Sequence, residues 1–295
     1  MSVVALSRYS WPLLRDGSHV QFGLDATTAG VLHVDHAAQV VAALCPLADA
    51  PEELCTLSSR LVAAGMDAHD AAIVLSDLLA YGIIHPVPET PTVIIVGRSP
   101  LADALAALTD SLSFTVRRPL AQEDLRSYLS YSAPGTPVVL ADQLAYTRTI
   151  APAIVAGADI IIPAAIMDAR GVVGPLRMWG SGPCPMCRDL HRSQADPGWH
   201  RVAPDYGPAA QRADPVLVAA TAARAAAWLS ILSGLPAPPG WPHSTPLPGD
   251  VITVDPYGTT TASQCHTHRL CPLCRAAHGA PRVPAELPKS LQGLK

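Results

Sequence analysis

The chain has 295 residues, of which 49% are hydrophobic and 15% charged, with a formal net charge of -4. This hydrophobic content is enough to build globular cores, and the length suits one large or two modest domains, which excludes a disordered or fibrous chain. Residues 1–90 carry three Arg and no Lys against ten Asp and Glu, so this part of the chain lacks the cations that nucleic acid requires. No nucleic-acid partner is therefore expected.

The first 90 residues predict a small winged-helix-like domain. An alternating run from His19 and a second run from Gly30, separated by a turn, predict a β-hairpin. Three helical segments are predicted at 36–44, 51–64 and 68–80, and Leu and Ile residues recur at helical spacing in the second and third. A short strand over 82–86 follows, and three prolines between 86 and 91 predict a stiff linker.

The next segment predicts a Rossmann-like α/β domain. Residues 92–97, Thr-Val-Ile-Ile-Val-Gly, form an apolar run typical of a buried parallel strand, and 100–108 predicts the helix after it. Further strands are predicted at 114–116, 137–142 and 158–163, with helix-length stretches between them, which indicates a doubly wound sheet. An Ala-rich helix over 213–232 and a strand from Val251 complete this domain, which we place at 91–280, with a flexible tail at 281–295.

The N-terminal residues do not combine a basic start with a long apolar core, so we expect no secretory signal and a cytoplasmic location. Two apolar stretches, 149–167 and 216–235, are interrupted by Pro, Asp or Arg residues. They predict core elements, and no membrane is expected as a partner.

Two Cys-x-x-Cys pairs carry the strongest chemical signal, Cys184-Pro-Met-Cys187 and Cys271-Pro-Leu-Cys274. Two residues between thiolates let a tight turn direct both sulfurs at one metal, and two such turns supply four ligands with no open position for water. The sequence therefore predicts a structural zinc site that joins residue 184 to residue 274. Two disulfides or a redox motif are the alternatives, although the identical spacing favours zinc.

The first βα turn of the second domain lacks the glycines with which such folds bind nucleotides. Gly97 is followed by Arg98-Ser-Pro, with Asp103 near the position that a phosphate would take, and both Pro and Asp oppose anion binding. The chain has only two lysines, Lys289 and Lys295, both in the tail. We interpret Gly97, Arg98 and Asp142 as a vestigial nucleotide site, with Asp142 as a strand-end cap, and expect no ATP cofactor.

Several other polar residues lie close to the cysteine pairs in sequence. His191, His266, His268 and His278 could supply a replacement ligand or a base, but four thiolates already complete a zinc site, so we expect supporting or surface roles. Cys265 is the one thiol near the pairs that does not belong to them. No basic partner for it is visible in the sequence, so it is expected to be inert.

The order of these parts resembles the leader-peptide-binding proteins of thiazole/oxazole-modified microcin biosynthesis, which are related to ubiquitin-activating adenylyltransferases (the ThiF superfamily). The resemblance runs from Trp11-Pro-Leu-Leu-Arg-Asp-Gly and Val20-Gln-Phe-Gly-Leu-Asp through Gly171-Val-Val-Gly-Pro-Leu to Cys274. Its most specific part is Cys184 to Arg192. The glycine loop and the nucleotide-site lysine of adenylating relatives are absent from this chain.

The resemblance implies a non-catalytic scaffold for bacteriocin-type ribosomal peptides. Its winged-helix unit would capture the leader of a precursor peptide, and a separate YcaO-type cyclodehydratase would form azolines in the core peptide. The leader would add a strand beside the hairpin and contact the third helix. The expected groove residues are Gly30, Val31, Leu32, His33, Val34, Ile73, Ser76 and Asp77. Related scaffolds dimerise through the α/β unit, so a homodimer is a further expectation.

Two other functions remain open at the level of sequence. One is an ATP-dependent adenylating enzyme of the ubiquitin-activating type, which would use Asp142 and backbone donors after Gly97. The other is a winged-helix DNA-binding regulator, which the acidic balance of residues 1–90 opposes.

Overall fold

The computed structural model describes residues 2–206, 214–240 and 244–277, and the predicted tail lies outside this described part. The chain divides into two compact units. The first contains Met1–Glu89 and Gly234–Ser244, and the second contains Thr90–Ser233 and Thr245–Lys295. Residues 234–240, which the sequence places in the second domain, group with the first unit in this division.

The first unit contains two small antiparallel sheets and four helices. The sheets have the strand orders β5-β1-β6 and β2-β3-β4. The strands are β1 (Val3–Leu6), β2 (Pro12–Asp16), β3 (His19–Phe22), β4 (Val31–His33), β5 (Glu52–Glu53) and β6 (Ile84–Pro86). The helices are α1 (Ala26–Ala29), α2 (Ala37–Leu44), α3 (Leu54–Ala63) and α4 (Ala68–Ala80).

The core of the first unit joins the apolar faces of α2, α3 and α4 to the inward residues of β1 and β3. Its centre is formed by Val20, Phe22, Leu44, Leu57 and Leu61, all 0 or 1% exposed. Three helices of 8, 10 and 13 residues are too short to be stable alone, so this shared core stabilises them.

Local signals set most of the boundaries in the first unit. The Asp67 side chain accepts a hydrogen bond from the His69 amide and starts α4 where the sequence predicts it. The helix predicted over 51–64 starts only at Leu54, because Glu52 and Glu53 pair with β1 as a short strand. The turn between the hairpin strands contains one further helical turn, α1, which Asp25 caps.

The second unit contains a mixed sheet with the order β14-β13-β11-β10-β9-β7-β8, and β12 pairs with β10. Strands β7 to β10 are parallel where they pair, and β11, β13 and β14 are antiparallel additions. The strands are β7 (Thr92–Val96), β8 (Thr115–Arg117), β9 (Pro137–Ala141), β10 (Ile160–Met167), β11 (Arg170–Val173), β12 (Arg177–Met178), β13 (Asp250–Val254) and β14 (Thr261–Gln264). The α/β class is therefore confirmed, but the sheet is only half parallel.

Adjacent strand residues, which point to opposite faces of the sheet, are both buried: Ile94 and Ile95 are each 0% exposed. Helices therefore cover both faces of this sheet. The helices are α5 (Pro100–Ser111), α6 (Leu125–Ser130), α7 (Thr147–Gly157), α8 (Pro185–Ala195), α9 (Trp199–Val202), α10 (Pro215–Leu232) and α11 (Pro272–Ala277). Helix α10 is long and apolar enough to cross a membrane by length and composition, but half of it is buried within the protein, as in a core helix.

The turn after β7 packs closely against the end of β9. Gly97 has a φ of +140°, and a Cβ at this position would lie 2.3 Å from the carbonyl oxygen of Ala141. The backbone of the turn therefore packs directly against the end of β9, which only glycine permits. In this structure Gly97 is explained by close packing.

We expect Gly97→Ala to destabilise the protein by about 2 kcal/mol or more, because it combines a strained φ with a clash against backbone. Urea unfolding followed by circular dichroism measures the change. Gly17→Ala is the control, since a Cβ at Gly17 would meet no atom within 4 Å, and its stability should stay within about 1 kcal/mol of the parent. Equal stability of the two variants would contradict the packing role of Gly97.

Candidate metal centre

The second unit brings the two predicted cysteine pairs together. Cys184 immediately precedes α8, Cys187 lies in its first turn, and Cys271 and Cys274 occupy the equivalent positions at α11. Each pair therefore lies at a helix N-terminus, where backbone amides favour thiolate charge. All four side chains are 0 or 1% exposed.

The sulfur positions fit one tetrahedral metal ion. The Cys184 Sγ lies 3.7 Å from that of Cys187 and 3.5 Å from that of Cys271, and Cys187 and Cys274 are 3.4 Å apart. All four sulfurs lie within 4.8 Å of one another. A zinc ion with Zn–S bonds of about 2.3 Å requires a sulfur–sulfur edge of about 3.8 Å.

Disulfide bonding does not explain this cluster. A disulfide requires its sulfurs to be about 2.05 Å apart, and all four cysteines are free thiols in the structure. The distances match a coordination shell, so four buried cysteines are placed where they could bind a metal such as zinc.

The pKa shifts of the clustered thiols favour a bound cation. Hydrogen bonding with Cys187 and Cys274, together with burial, raises the pKa of the Cys184 thiol. Hydrogen bonds from Cys184 and Cys187 lower the pKa of Cys274, with a further contribution from the charge of Arg177. The crowded thiols thus share ionisation, and four thiolates can coexist only around a metal ion.

Arg177 supports the site and was missed by the sequence analysis. It is 2% exposed, its Nη1 donates to the carbonyl oxygen of Gly182 at 2.6 Å, and the same nitrogen lies 3.8 Å from the Cys274 sulfur. A zinc ion with four thiolates carries a net charge of about -2, which this buried guanidinium partly offsets. Arg177 lies seven residues before Cys184, and no local sequence pattern there predicts this contact.

The histidines surround the cluster without joining it. The backbone carbonyl of His268 accepts from the amide of Cys271 at 2.9 Å, and its ring faces Gln194 at 3.1 Å. The Nε2 of His191 lies 2.8 Å from the carbonyl oxygen of His266. These contacts are consistent with the expected supporting roles, and His278 lies outside the described residues.

The residues predicted for the vestigial nucleotide site make contacts with other residues of the second unit. Asp142 follows β9, is 3% exposed, and accepts hydrogen bonds from the Ser99 hydroxyl at 2.6 Å and the Ile166 amide at 2.8 Å. Burial raises the pKa of this carboxyl, whereas both hydrogen bonds lower it. Asp142 thus links the turn after β7 to β10, and Arg98 makes a long contact to the Pro119 carbonyl oxygen at 3.5 Å.

The start of α5 is also satisfied internally. Ser99 caps the helix by accepting from the Ala102 amide at 3.2 Å. Arg118 donates to the Gly97 carbonyl oxygen at 2.8 Å and pairs with Asp103 at 2.7 Å. The Ala102 amide and the Gly97 carbonyl oxygen therefore have hydrogen-bond partners within the chain.

The predicted groove residues belong to two elements of the first unit. Val31, Leu32 and His33 form β4, the edge strand of its sheet, with Gly30 and Val34 at its ends. Ile73, Ser76 and Asp77 share the exposed face of α4, on which Ile73 is 47% exposed.

A cavity of about 780 Å³ adjoins this region of the first unit. It lies between the C-terminal end of α4, the segment from β6 to Pro88, and the proline-rich residues 234–240. Gly240 approaches Thr28, in the turn before β4, so closely that a Cβ on Gly240 would lie 1.7 Å from the Thr28 carbonyl oxygen. The sequence analysis did not find this cavity, because its walls are far apart in the chain.

Known structures share this fold. A heterocyclase solved in complex with substrate and cofactor aligns over 93% of the chain with a TM-score of 0.61 and 14% identity. The heterocyclase TruD aligns over 93% with a TM-score of 0.59 and 15% identity, and E. coli MccB solved with ATP aligns over 92% with a TM-score of 0.53 and 12% identity. The chain covers 40% and 43% of the two heterocyclases and 99% of MccB.

No protein-family model and no curated protein matches the chain. At 12–15% identity the structural likeness establishes a common fold. The chain therefore has the fold of the heterocyclases and of MccB, as the resemblance in the sequence implies.

We expect the purified protein to contain about one zinc ion per chain, as measured by inductively coupled plasma mass spectrometry. Cys274→Ser should lose the metal and lower the melting temperature by roughly 10 °C, because losing about 3–5 kcal/mol costs about 2–4 °C per kcal/mol in a protein of this size. Cys55→Ser, at an exposed cysteine outside the cluster, should change neither quantity. Full zinc content in Cys274→Ser would contradict the assignment.

Proposed function

We propose that the protein binds the leader of a ribosomally made precursor peptide through its first unit and presents the peptide to a YcaO-type azoline-forming cyclodehydratase. In this proposal the chain performs no covalent chemistry, and the four-cysteine site holds a structural zinc ion. The observation that carries the proposal is the free edge of β4. The first unit, with its β-hairpin and three helices, serves as a winged-helix recognition element.

The register of the hairpin defines which backbone groups of β4 are free. His19 pairs with His33, Val20 with Leu32, and Gln21 with Val31. The amide of Val34 donates to Ser18 and the carbonyl oxygen of Gly30 accepts from Phe22, so hydrogen-bonded pairs alternate along the strand. The N–H and C=O groups of Val31 and His33 therefore point to the outer edge, which is not paired with another described strand.

This edge suits an extended peptide. Main-chain hydrogen bonds to Val31 and His33 would provide affinity with little dependence on sequence, as in other strand-addition complexes. The strand has only three residues and a 39% exposed Val31, so the peptide would find both backbone and apolar contacts there.

Selectivity requires side-chain contacts, which α4 and the neighbouring cavity provide in this proposal. Leu75 and Leu78 face the core, whereas Ile73, Ser76 and Asp77 face outward at helical spacing. The cavity of about 780 Å³ at the end of α4 could take an apolar side chain of the leader. The acidic surplus of residues 1–90 favours a leader with basic residues.

The second unit supports a role without catalysis. Around the turn after β7, the Ser99 hydroxyl donates to Asp142 and accepts from the Ala102 amide, and Arg118 donates to the Gly97 carbonyl oxygen.

We expect a fluorescently labelled leader peptide from a neighbouring reading frame to bind the full chain saturably in anisotropy titrations. His33→Pro removes an outward N–H without touching a hairpin hydrogen bond, and Ile73→Asp places a charge on the exposed face of α4. Each should weaken binding by roughly tenfold or more, in keeping with losses of about 1.5 kcal/mol.

Val62→Asp is the matched control, because Val62 is an apolar residue of α3 with 41% exposure, similar to that of Ile73. It should leave leader affinity unchanged, and circular dichroism should show that all three variants remain folded. Equal affinity of Ile73→Asp and the parent protein would remove α4 from the proposed groove, and absence of saturable binding would refute the function.

The likeness to MccB, which was solved with ATP, keeps an adenylating enzyme as a second candidate. Because Ser99, Arg118 and Asp142 make internal hydrogen bonds around the turn after β7, we expect that the protein will not catalyse ATP–pyrophosphate exchange with Mg-ATP, either alone or with candidate peptides. E. coli MccB under the same conditions provides the comparison. Exchange by this chain that is abolished by Asp142→Asn would replace the scaffold proposal with the enzyme.

A further inference from the structure

Helix α8 carries two arginines beside a cavity that neither the metal centre nor leader binding uses. Arg188 and Arg192 lie four residues apart, so both project from the same face of the helix. The cavity has a volume of about 380 Å³. Its opposite wall is formed by β13 and the end of β14, and includes Val251, Ser263, Gln264, Cys265 and His266.

Neither arginine has an anionic partner among residues 2–206, 214–240 and 244–277. The Nε of Arg188 is buried and makes no hydrogen bond within this part of the chain. Arg192 lies over the ring of Trp199 at 4.9 Å and contacts the sulfur of Met167 at 2.9 Å. Both of these partners are uncharged, so neither arginine is in a direct ion pair within the described residues.

Asp189, the acidic residue between them, is already engaged. Its Oδ2 accepts from the Nε of Arg148 at 2.6 Å, and its Oδ1 accepts from the indole nitrogen of Trp199 at 2.8 Å. The negative charge of Asp189 still raises the pKa of Arg192 from a distance, because it stabilises the charged guanidinium. However, both carboxylate oxygens are committed elsewhere, so Asp189 does not neutralise the pair.

Two adjacent guanidinium groups in a half-buried position repel one another and lose hydration. Burial, followed by repulsion from Arg188, lowers the pKa of Arg192 to about 10. Proteins normally pair such buried charges, and an arginine left without a partner costs free energy. The arrangement is therefore incomplete without an anion from outside the described chain.

We propose that Arg188 and Arg192 form a binding site for a phosphate group in this cavity. A phosphate dianion matches two unpaired positive charges, whereas one carboxylate would neutralise only one of them. The planar guanidinium forks suit the geometry of phosphate oxygens. Ser263 adds a hydroxyl that can donate to a remaining oxygen, and the volume admits a phosphate with a small organic group.

The site differs from the vestigial nucleotide site in its residues, since none of Gly97, Arg98 or Asp142 lines the cavity. It also depends on the metal centre, because Cys184 and Cys187 hold the first turn of α8. The proposal does not rest on leader binding, and each can fail without the other.

The test uses the full-length zinc-loaded protein and isothermal titration calorimetry with inorganic phosphate, acetate and adenosine monophosphate at matched ionic strength. We expect saturable binding of phosphate that acetate does not reproduce. Comparing phosphate with the nucleotide identifies the source of the group, because a clearly tighter nucleotide indicates a phosphate ester and equal affinity indicates free phosphate. Acetate binding as tightly as phosphate would overturn the proposal.

Arg192→Gln and Arg188→Gln should each weaken phosphate binding by roughly tenfold or more, the effect of losing one charge-assisted contact. Arg201→Gln, which removes the same charge from an exposed position outside the cavity, should leave it unchanged. Zinc content and melting temperature are measured for each variant, because Arg188 follows a proposed ligand. Equal affinity of Arg192→Gln and Arg201→Gln would refute the site.

Alkylation of Cys265 gives a second readout that does not need a variant. Phosphate should slow the modification of Cys265 by iodoacetamide, since it occupies the cavity and neutralises the arginines, and should leave exposed Cys55 unaffected. Peptide mass spectrometry measures the two rates. Equal effects of phosphate on both cysteines would contradict occupancy of the cavity.

Discussion

The arrangement of the second unit depends on four cysteine sulfurs that meet at one point. They come from two helix starts separated by 87 residues between Cys184 and Cys271, and they lie in the same buried cluster as Ile94, Val138 and Ile154. A metal ion bound by these sulfurs would close a loop of this length, restrict the unfolded chain strongly and fix α8 and α11 against the sheet. Buried thiolates this close to one another repel each other, so the cluster also favours a bound cation.

Fixing α8 has consequences beyond the cysteines. From this helix Asp189 pairs with Arg148 of α7 at 2.6 Å, which ties the helix to the parallel part of the sheet. The same helix holds Arg188 and Arg192 in positions where they approach each other and Cys265. The sequence analysis expected no basic partner for Cys265. The structure corrects this expectation, because both arginines lower the pKa of its thiol, although burial has the larger and opposite effect. A metal ion at the four cysteines would thus also help to hold the two arginines of α8 beside the cavity.

Sequence analysis predicts features that depend on neighbouring residues in the chain. The identical spacing of the cysteine pairs, the cap at Asp67 and the apolar run of β7 are such features, and the structure contains each of them. Features that depend on contacts between distant residues were missed. Arg177 meets Cys274 across 97 positions and Ser99 meets Asp142 across 43, and no periodicity or motif marks these pairs. The same reason explains β5, since Glu52 and Glu53 form a strand only because β1 is available to pair with them. The leader groove and the winged-helix role stay predictions, because they concern a partner that no residue pattern identifies.

The two units differ in where their polar backbone and charged groups are satisfied. In the second unit, the turn after β7 directs its carbonyl, its helix start and its buried carboxylate to partners within the chain, at Arg118, Ser99 and Ile166. In the first unit, β4 leaves alternate N–H and C=O groups unpaired along an edge beside apolar surface. Unpaired sheet edges carry a risk of aggregation, because they can pair with strands of other chains. The turn after β7 therefore makes its contacts within its own unit, whereas no described strand lies beside the outer edge of β4. This contrast is the structural basis on which we propose peptide recognition by the first unit.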